Sequence, residues 1–160
     1  MANLTHVDLI TPERVLFSGE AEAVVLRADG ADTTFLANHM DYIGAVDICL
    51  LRLEGARAAG TPGAEAPAGD PPGAGEAVPR DEVLAAVHGG FVKVADNNVT
   101  VVAGVAELAD EIDLKRAQRA LDAAESRLAT GEAAEAEAAA ARARVRIAAA
   151  VKLKADLGRL

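Results

Sequence analysis

Apolar and polar positions alternate along the first third of the chain. Val24, Leu26 and Ala28 are spaced by two residues, and the same spacing recurs in the segment 46–50. This is the period of a strand that buries one face. Segments containing proline or glycine separate these runs, at 11–13, 18–20 and 28–30, and such residues favour tight turns. Residues 4–54 are therefore predicted to form short strands joined by turns.

A second alternating region precedes residue 109. Phe91, Lys93 and Ala95 alternate with valines, a polar turn follows at 96–98, and a further alternating run covers 99–103. This pattern predicts a β-hairpin. Strands that are adjacent in sequence and joined by short turns pair antiparallel. A sheet of many such short strands without helices is expected to close as a sandwich or flattened barrel.

The hydrophobic period changes near residue 110. Apolar residues then recur every three or four positions, which is typical of a packed helix, and a break at 130–132 separates two such runs. The two predicted seams are Leu114, Ala117, Leu121, Ala124 and Leu128, and then Ala136, Ala140, Ala143, Ile147 and Ala150. The predicted fold class is thus an all-β sandwich or barrel of short antiparallel strands, residues 1–109, followed by an antiparallel two-helix hairpin, residues 110–160. Because alanine side chains bury little apolar area, the hairpin is expected to dock weakly and to be mobile.

One segment departs from both patterns. Residues 55–82 hold five of the six prolines, many glycines and few large apolar side chains. Such a segment cannot bury enough surface to offset the entropy lost on ordering. It is predicted to be a long mobile surface loop within the strand domain.

Composition narrows the classes of function. The formal net charge of −9 argues against broad binding to DNA, RNA or anionic lipid. Cys49 is the single cysteine, and His6, His39 and His88 lack the spacings of zinc sites, so we expect a reducing compartment and no metal. No apolar run reaches membrane-spanning length and the N-terminus lacks a signal-peptide pattern, so a soluble or peripheral protein is expected.

Catalytic motifs are not evident. No glycine-rich loop ends in Lys-Ser or Lys-Thr, and Ser18, Ser126 and the histidines form no recognisable nucleophile arrangement. His39 and His88 are interpreted as satisfied turn or core residues, and the Gly89-Gly90 pair as a backbone bend or bulge. We therefore expect no enzymatic activity from the chain alone.

The stretch EIDLKRA, residues 111–117, combines opposite charges at a predicted helix start. Asp113 suits an N-cap position, whereas Lys115 and Arg116 are unfavourable near the positive end of a helix dipole unless an anion meets them. That anion is either Asp113 itself, with Arg116 paired to it one turn later, or a bound ligand.

Several segments together resemble one family. These are VDLITPERVLFSGEAEAVV, Asn38-His39, AVDI, HGGFVKV, NNVTVVA, AEL and EIDLKRAQRAL, in this order. They resemble the epsilon subunit of the bacterial F-type rotary ATP synthase, over nearly the whole chain. The segment TTFLANHMDYIGAVD keeps His39 but lacks the glycine and prolines that flank this histidine in the family, which implies an altered contact of that loop with the membrane ring.

The resemblance implies a non-catalytic subunit of the central rotor stalk on the cytoplasmic face of the bacterial membrane. Its implied partners are the gamma subunit, the membrane rotor ring and, through the helices, the catalytic alpha and beta subunits. The hairpin would restrain ATP hydrolysis, with ATP as a regulatory ligand and no required cofactor. The implied ATP-binding residues are Glu107, Ile112, Asp113, Arg116, Ala117 and Arg146.

Two alternatives remain at this stage. A free-standing ATP-sensing module could carry the same hairpin without a rotor, and recovery of stalk subunits from membranes would distinguish it. An enzyme with a site on the sandwich is less supported, because no acid/base cluster stands out. The cations of the second helix, Arg142 to Lys154, are interpreted either as a solvated face or as a surface for acidic segments of a partner.

Overall fold

The structure, a computed structural model, describes residues 3–58, 78–131 and 133–158. Eight strands lie in these ranges, followed by a 3-10 turn and two helices. The strands are β1 Thr5–Ile10, β2 Val15–Ala21, β3 Ala23–Ala28, β4 Ala31–Leu36, β5 Tyr42–Ala58, β6 Val78–Ala95, β7 Asn98–Ala103 and β8 Ala106–Leu108; the turn is Ala109–Glu111, and the helices are α1 Leu114–Ala129 and α2 Ala133–Leu157. The predicted fold class, strands followed by a helical hairpin, is confirmed.

The sheet closes on itself. Its strand order is β4-β3-β5-β2-β1-β7-β6-β8, and an additional pairing joins β5 to β6. The five strands β5, β2, β1, β7 and β6 therefore form a flattened barrel. Its interior holds one apolar cluster that includes Val7, Leu9, Phe35, Leu51 and Val99. β1 pairs parallel with β7, which an argument from adjacent strands could not predict, because these two strands are distant in sequence.

β5 and β6 are much longer than the short strands predicted, at 17 and 18 residues. They pair antiparallel from Tyr42↔Val94 to Ala58↔Val78. The boundaries of the predicted loop at 55–82 are therefore wrong: residues 55–58 belong to β5 and 78–82 to β6, and the rest of that prediction, 59–77, lies outside the described residues. Ladder hydrogen bonds outweigh the poor strand propensity of Gly55 and Pro79.

The predicted hairpin of β6 and β7 is confirmed. Asp96 and Asn97 make its turn with φ of 51° and 57°, as the favoured two-residue turn requires. Gly89 and Gly90 also have positive φ, 92° and 153°. They lie where β6 passes from its pairing with β8 to its pairing with β7, so the predicted bend is present.

The two helices pack against each other through small residues. Ala117 and Ala124 of α1 are buried, as are Ala136, Ala140 and Ala143 of α2. The larger members of the predicted seams, such as Leu121 and Ile147, are only half-buried. Gly131, with φ of 93°, lies between the helices. The hairpin is folded back, because α2 also packs on β5 and β6.

None of the described helices is long and apolar enough to cross a membrane. Within the same ranges, no cluster of His, Cys, Asp or Glu is arranged to hold a metal ion.

Candidate functional site

The predicted site residues lie where α2 crosses the outer surface of the barrel. Along β6, Val83, Ala85 and Val87 enter the barrel core. The residues between and beside them, at positions 82, 84, 86 and 88, face outward. α2 covers this outer face with Val145, Ala149 and Leu153, which are four residues apart and therefore share one side of the helix. The apolar contact comprises Leu50, Leu84, Ala86, Ala109, Ile112, Val145, Ala149 and Leu153.

Glu107 and Arg146 form the central charged contact of this junction. Glu107 lies on β8 opposite Ala86, and Arg146 lies on α2. The Arg146 Nε and Nη2 atoms both donate to Glu107 Oε1, at 2.9 and 2.5 Å. The hydrogen bonds from Arg146 lower the pKa of Glu107 more than its partial burial raises it. The pair thus joins the hairpin to the barrel at neutral pH.

Asp113 is the N-cap of α1, as predicted. Its Oδ1 accepts a hydrogen bond of 3.1 Å from the backbone N–H of Arg116. This bond is the main reason why the pKa of Asp113 is lowered. The cap uses the main chain of Arg116, and the residue itself is exposed. Its charge is close enough to Glu107 to contribute to the low pKa of that carboxyl.

The six residues of the predicted ATP site therefore divide into two groups. Glu107, Arg116 and Arg146 place their charges near one another at the junction. Asp113 caps the helix, Ile112 packs under α2 and Ala117 is buried at 3% exposure, so these three have structural roles. ATP binding by the set stays a prediction.

His88 belongs to the same junction and was not predicted to do so. Its Nε2 is buried and has no hydrogen-bond partner among the described residues, contrary to the expectation of a satisfied histidine. Burial, and next the charge of Arg146, lower its pKa to about 4. Its spacing of two from Ala86 indicated the outer face of β6, but the sequence did not show that α2 covers that face.

Most of the cations on α2 bond within the chain. Lys152 bonds Glu82 of β6 and, at 3.0 Å, Asp156. Arg144 bonds Glu125 of α1 at 3.2 Å. The interpretation of this run as a solvated face is therefore wrong for Arg146 and Lys152, which are partly buried against the barrel.

This arrangement suits reversible binding rather than covalent chemistry. The junction offers two guanidinium groups, a carboxylate and an imidazole, and guanidinium groups favour phosphate or carboxylate partners. Cys49 lies in the barrel core, where burial raises the pKa of its thiol. A protonated, buried thiol is a poor nucleophile.

Known proteins resemble this chain over most of its length. The family described as the ATP synthase delta/epsilon chain beta-sandwich domain matches residues 4–60. The ATP synthase epsilon chain of Streptomyces griseus is 36% identical over 129 residues, which cover 79% of this chain and 84% of that protein. The epsilon chain of Thermobifida fusca is 37% identical, covering 79% and 78%, and that of Brevibacillus brevis is 34% identical, covering 80% of each.

A solved structure has the same fold. A chain in the Euglena gracilis mitochondrial ATP synthase (OSCP/F1/c-ring, rotational state 1) superposes with a TM-score of 0.57 at 17% identity, covering 97% of this chain and 82% of that one.

Proposed function

The chain belongs to the ATP synthase epsilon chain family, and from this premise we propose that it links the gamma subunit to the membrane rotor ring and regulates ATP hydrolysis through its helical hairpin. The observation that carries the proposal is the folded-back α2, which meets the barrel through a small apolar contact and the Glu107–Arg146 pair. The working division is a strand body, residues 1–109, and a regulatory part, residues 110–160. The protein acts peripherally at the cytoplasmic face of the membrane and has no catalytic activity alone.

An exposed apolar row supports contact with the gamma subunit. Strand register aligns five residues across the barrel: Ala45, Phe91, Val102, Ile10 and Val15. Phe91 is 64% exposed, and Val102 and Val15 are each 47% exposed. A contiguous apolar row of this kind is typical of a protein interface. The gamma subunit is the partner that we assign to it.

The loop between β4 and β5 supports contact with the ring. Met40 in this loop and Leu36 at the end of β4 are exposed, and the intervening His39 has its Nδ1 2.8 Å from Met40 O. Asn38 has φ of 60°, and its N–H donates to Asn97 Oδ1 at 2.8 Å. This bond to the β6–β7 turn fixes a loop that lacks the family's glycine and prolines, so the loop presents its apolar side chains in a defined conformation.

Regulation follows from two positions of the hairpin. In the folded-back position α2 is held on the barrel, and in an extended position the helices reach the catalytic subunits and restrain hydrolysis. Three of the four fully buried residues of the apolar contact are alanines, which contribute little area, and its larger side chains other than Leu84 are only partly buried. A ligand that prefers one position by one to two kcal/mol therefore changes their ratio roughly tenfold.

ATP is the proposed ligand of the folded-back position. Its phosphates supply negative charge that suits Arg116 and Arg146. Arg116 has an exposed guanidinium beside the junction, whereas Arg146 already bonds Glu107. Glu107 therefore competes with any anion for Arg146, and modest affinity is expected.

Titration calorimetry of the full chain with ATP tests the site. The Arg116→Ala substitution is expected to weaken binding about tenfold, because it removes a charge-assisted contact. Arg127→Ala is the matched control: it removes an equal charge from the exposed last turn of the same helix and should change affinity less than twofold. Equal affinity of Arg116→Ala and the unaltered chain would exclude this residue from the site.

Removal of the hairpin tests regulation. In the reconstituted motor, a chain ending at Ala109 is expected to support ATP hydrolysis at least twice as fast as the full chain, because the inhibiting helices are gone. Unchanged hydrolysis in the presence of bound truncated subunit would refute the regulatory role.

A further inference from the structure

A second charged contact joins α2 to the barrel, outside the proposed ATP site. Lys152 bonds Glu82 of β6 and, at 3.0 Å, Asp156 one turn further along α2. Arg52 Nη1 of β5 lies 3.8 Å from Glu82 Oε1. Glu82 thus lies between a cation of the barrel and a cation of the hairpin.

This contact is partly shielded from solvent. The Glu82 side chain is 19% exposed and that of Lys152 is 32% exposed. Burial alone would lower the pKa of Lys152, but the hydrogen bonds with Glu82 and Asp156 raise it above its usual value. Lys152 therefore stays charged at neutral pH, and screening by water is weaker than for an exposed pair.

The contact also holds a different part of α2. Arg146 and Lys152 are six residues apart, which is about 9 Å along a helix. The apolar contacts of Leu84, Ala149 and Leu153 lie in the same stretch of the junction. α2 is therefore attached by one charged pair towards each end of a small apolar patch. A nucleotide that draws Arg146 away from Glu107 leaves the Lys152 attachment in place.

We propose that Glu82 and Lys152 form an ionic latch that keeps the hairpin folded back independently of nucleotide. The latch sets how often α2 leaves the barrel, and added salt weakens it. Its consequence for the motor rests on the proposed function, but the latch itself is a property of the isolated chain.

A cysteine introduced beneath α2 can report on the release of this helix. Leu84 is 4% exposed under the helix, so a Leu84→Cys chain, with Cys49→Ser to remove the native thiol, reacts with a maleimide only when α2 has lifted. When closing is faster than labelling, the labelling rate is proportional to the lifted fraction. In this background Glu82→Gln and Lys152→Gln are each expected to raise the rate about fivefold. The double substitution should raise it no more than either single one, because both remove the same interaction.

The Glu125–Arg144 pair supplies the control. It joins α1 to α2 at 3.2 Å and does not bridge to the barrel. Glu125→Gln and Arg144→Gln should therefore change labelling less than twofold. Raising NaCl from 50 to 500 mM should speed labelling of the Leu84→Cys background more than that of its Glu82→Gln, Lys152→Gln derivative, because the derivative keeps only the Glu107–Arg146 pair for salt to screen.

Strictly multiplicative effects of the two latch substitutions, or an effect no larger than that of the control pair, would overturn the latch. A salt response as large in the double variant as in the Leu84→Cys background would do so as well. Failure of the ATP titration or of the hydrolysis assay would not change these labelling rates, so the latch and the proposed function can fail separately.

Discussion

His88 links protonation to docking of α2. Its Nε2 is buried without a hydrogen-bond partner among the described residues, and its pKa is lowered from 6.5 to about 4. Burial is the main cause, and the charges of Arg146 and Arg142 lower the pKa further while Glu107 opposes them. The neutral imidazole is therefore the form that the folded chain favours.

A pH dependence of stability follows from this pKa. Between pH 6.5 and about 4 the unfolded chain binds more protons at this histidine than the folded chain does, so the free energy of unfolding falls as the pH is lowered through this window. With allowance for partial solvent screening, the loss is about 2 kcal/mol. Urea unfolding at pH 7 and pH 4.5 should show this loss for the natural chain and not for His88→Gln. Equal losses in both would contradict the assignment.

Single residues were predictable where local chemistry determines their role. Asp113 precedes a helical period and was predicted as its cap, which the hydrogen bond to Arg116 confirms. The turn residues Asp96 and Asn97 were predictable for the same reason. The role of His88 was not, because it depends on which outer face of β6 is covered, and this is decided by contacts with α2 some 60 positions away in the chain.

At the scale of elements, β6 depends on its two adjacent glycines. Gly90 has φ of 153°, and a Cβ atom added there would lie 2.8 Å from the Cα of Ala103 in β7. The backbone of β7 cannot move away without breaking its pairing. Gly90 is therefore required for the close approach of β6 and β7.

Replacing Gly90 tests this close approach. Gly90→Ala is expected to reduce the free energy of unfolding by about 3 kcal/mol or more, because it places a side chain against backbone atoms. Gly104→Ala is the control, since nothing lies within 4 Å of an added Cβ there, and it should change stability by less than about 0.5 kcal/mol. Urea unfolding monitored by circular dichroism measures both free energies. Similar losses for the two variants would show that β7 moves to accommodate the added side chain.

Elements were predictable in kind but not in extent. The change of period near residue 110 located the helices, and α1 begins at Leu114. The ends of β5 and β6 were missed because glycine and proline indicate loops, whereas these ends are stabilised by pairing with each other. The parallel pairing of β1 with β7 was missed because it joins distant segments, for which hydrophobic period carries no information.

At the scale of the whole molecule, the exposed apolar row and the covered face of β6 give the barrel two different surfaces. The row that contains Phe91 is open, whereas the face that contains Leu84 is covered by α2. A partner bound to the row therefore leaves the hairpin free to fold back or extend. The attachment and the regulation that we propose can therefore occur in one subunit.

The open surface can be tested by a charge placed in the row. Phe91→Asp is expected to weaken binding to the gamma subunit at least tenfold, because it buries a carboxylate without a partner in an apolar contact. Thr34→Asp, which adds the same charge on the exposed part of β4, should leave affinity within twofold. Calorimetry with purified gamma subunit measures both, and equal affinities for the two variants would rule out the row as the attachment surface.

The paired ends of β5 and β6 also make this chain suitable for carrying an inserted foreign sequence. The ladder continues to Ala58↔Val78, so the two points where a foreign sequence would join are about 5 Å apart. The entropy of closing a loop grows only slowly with its length. An epitope, or a small fluorescent protein with adjoining termini, could therefore replace residues 59–77 and leave every described strand pair in place, and it would label the subunit at a fixed point of the barrel.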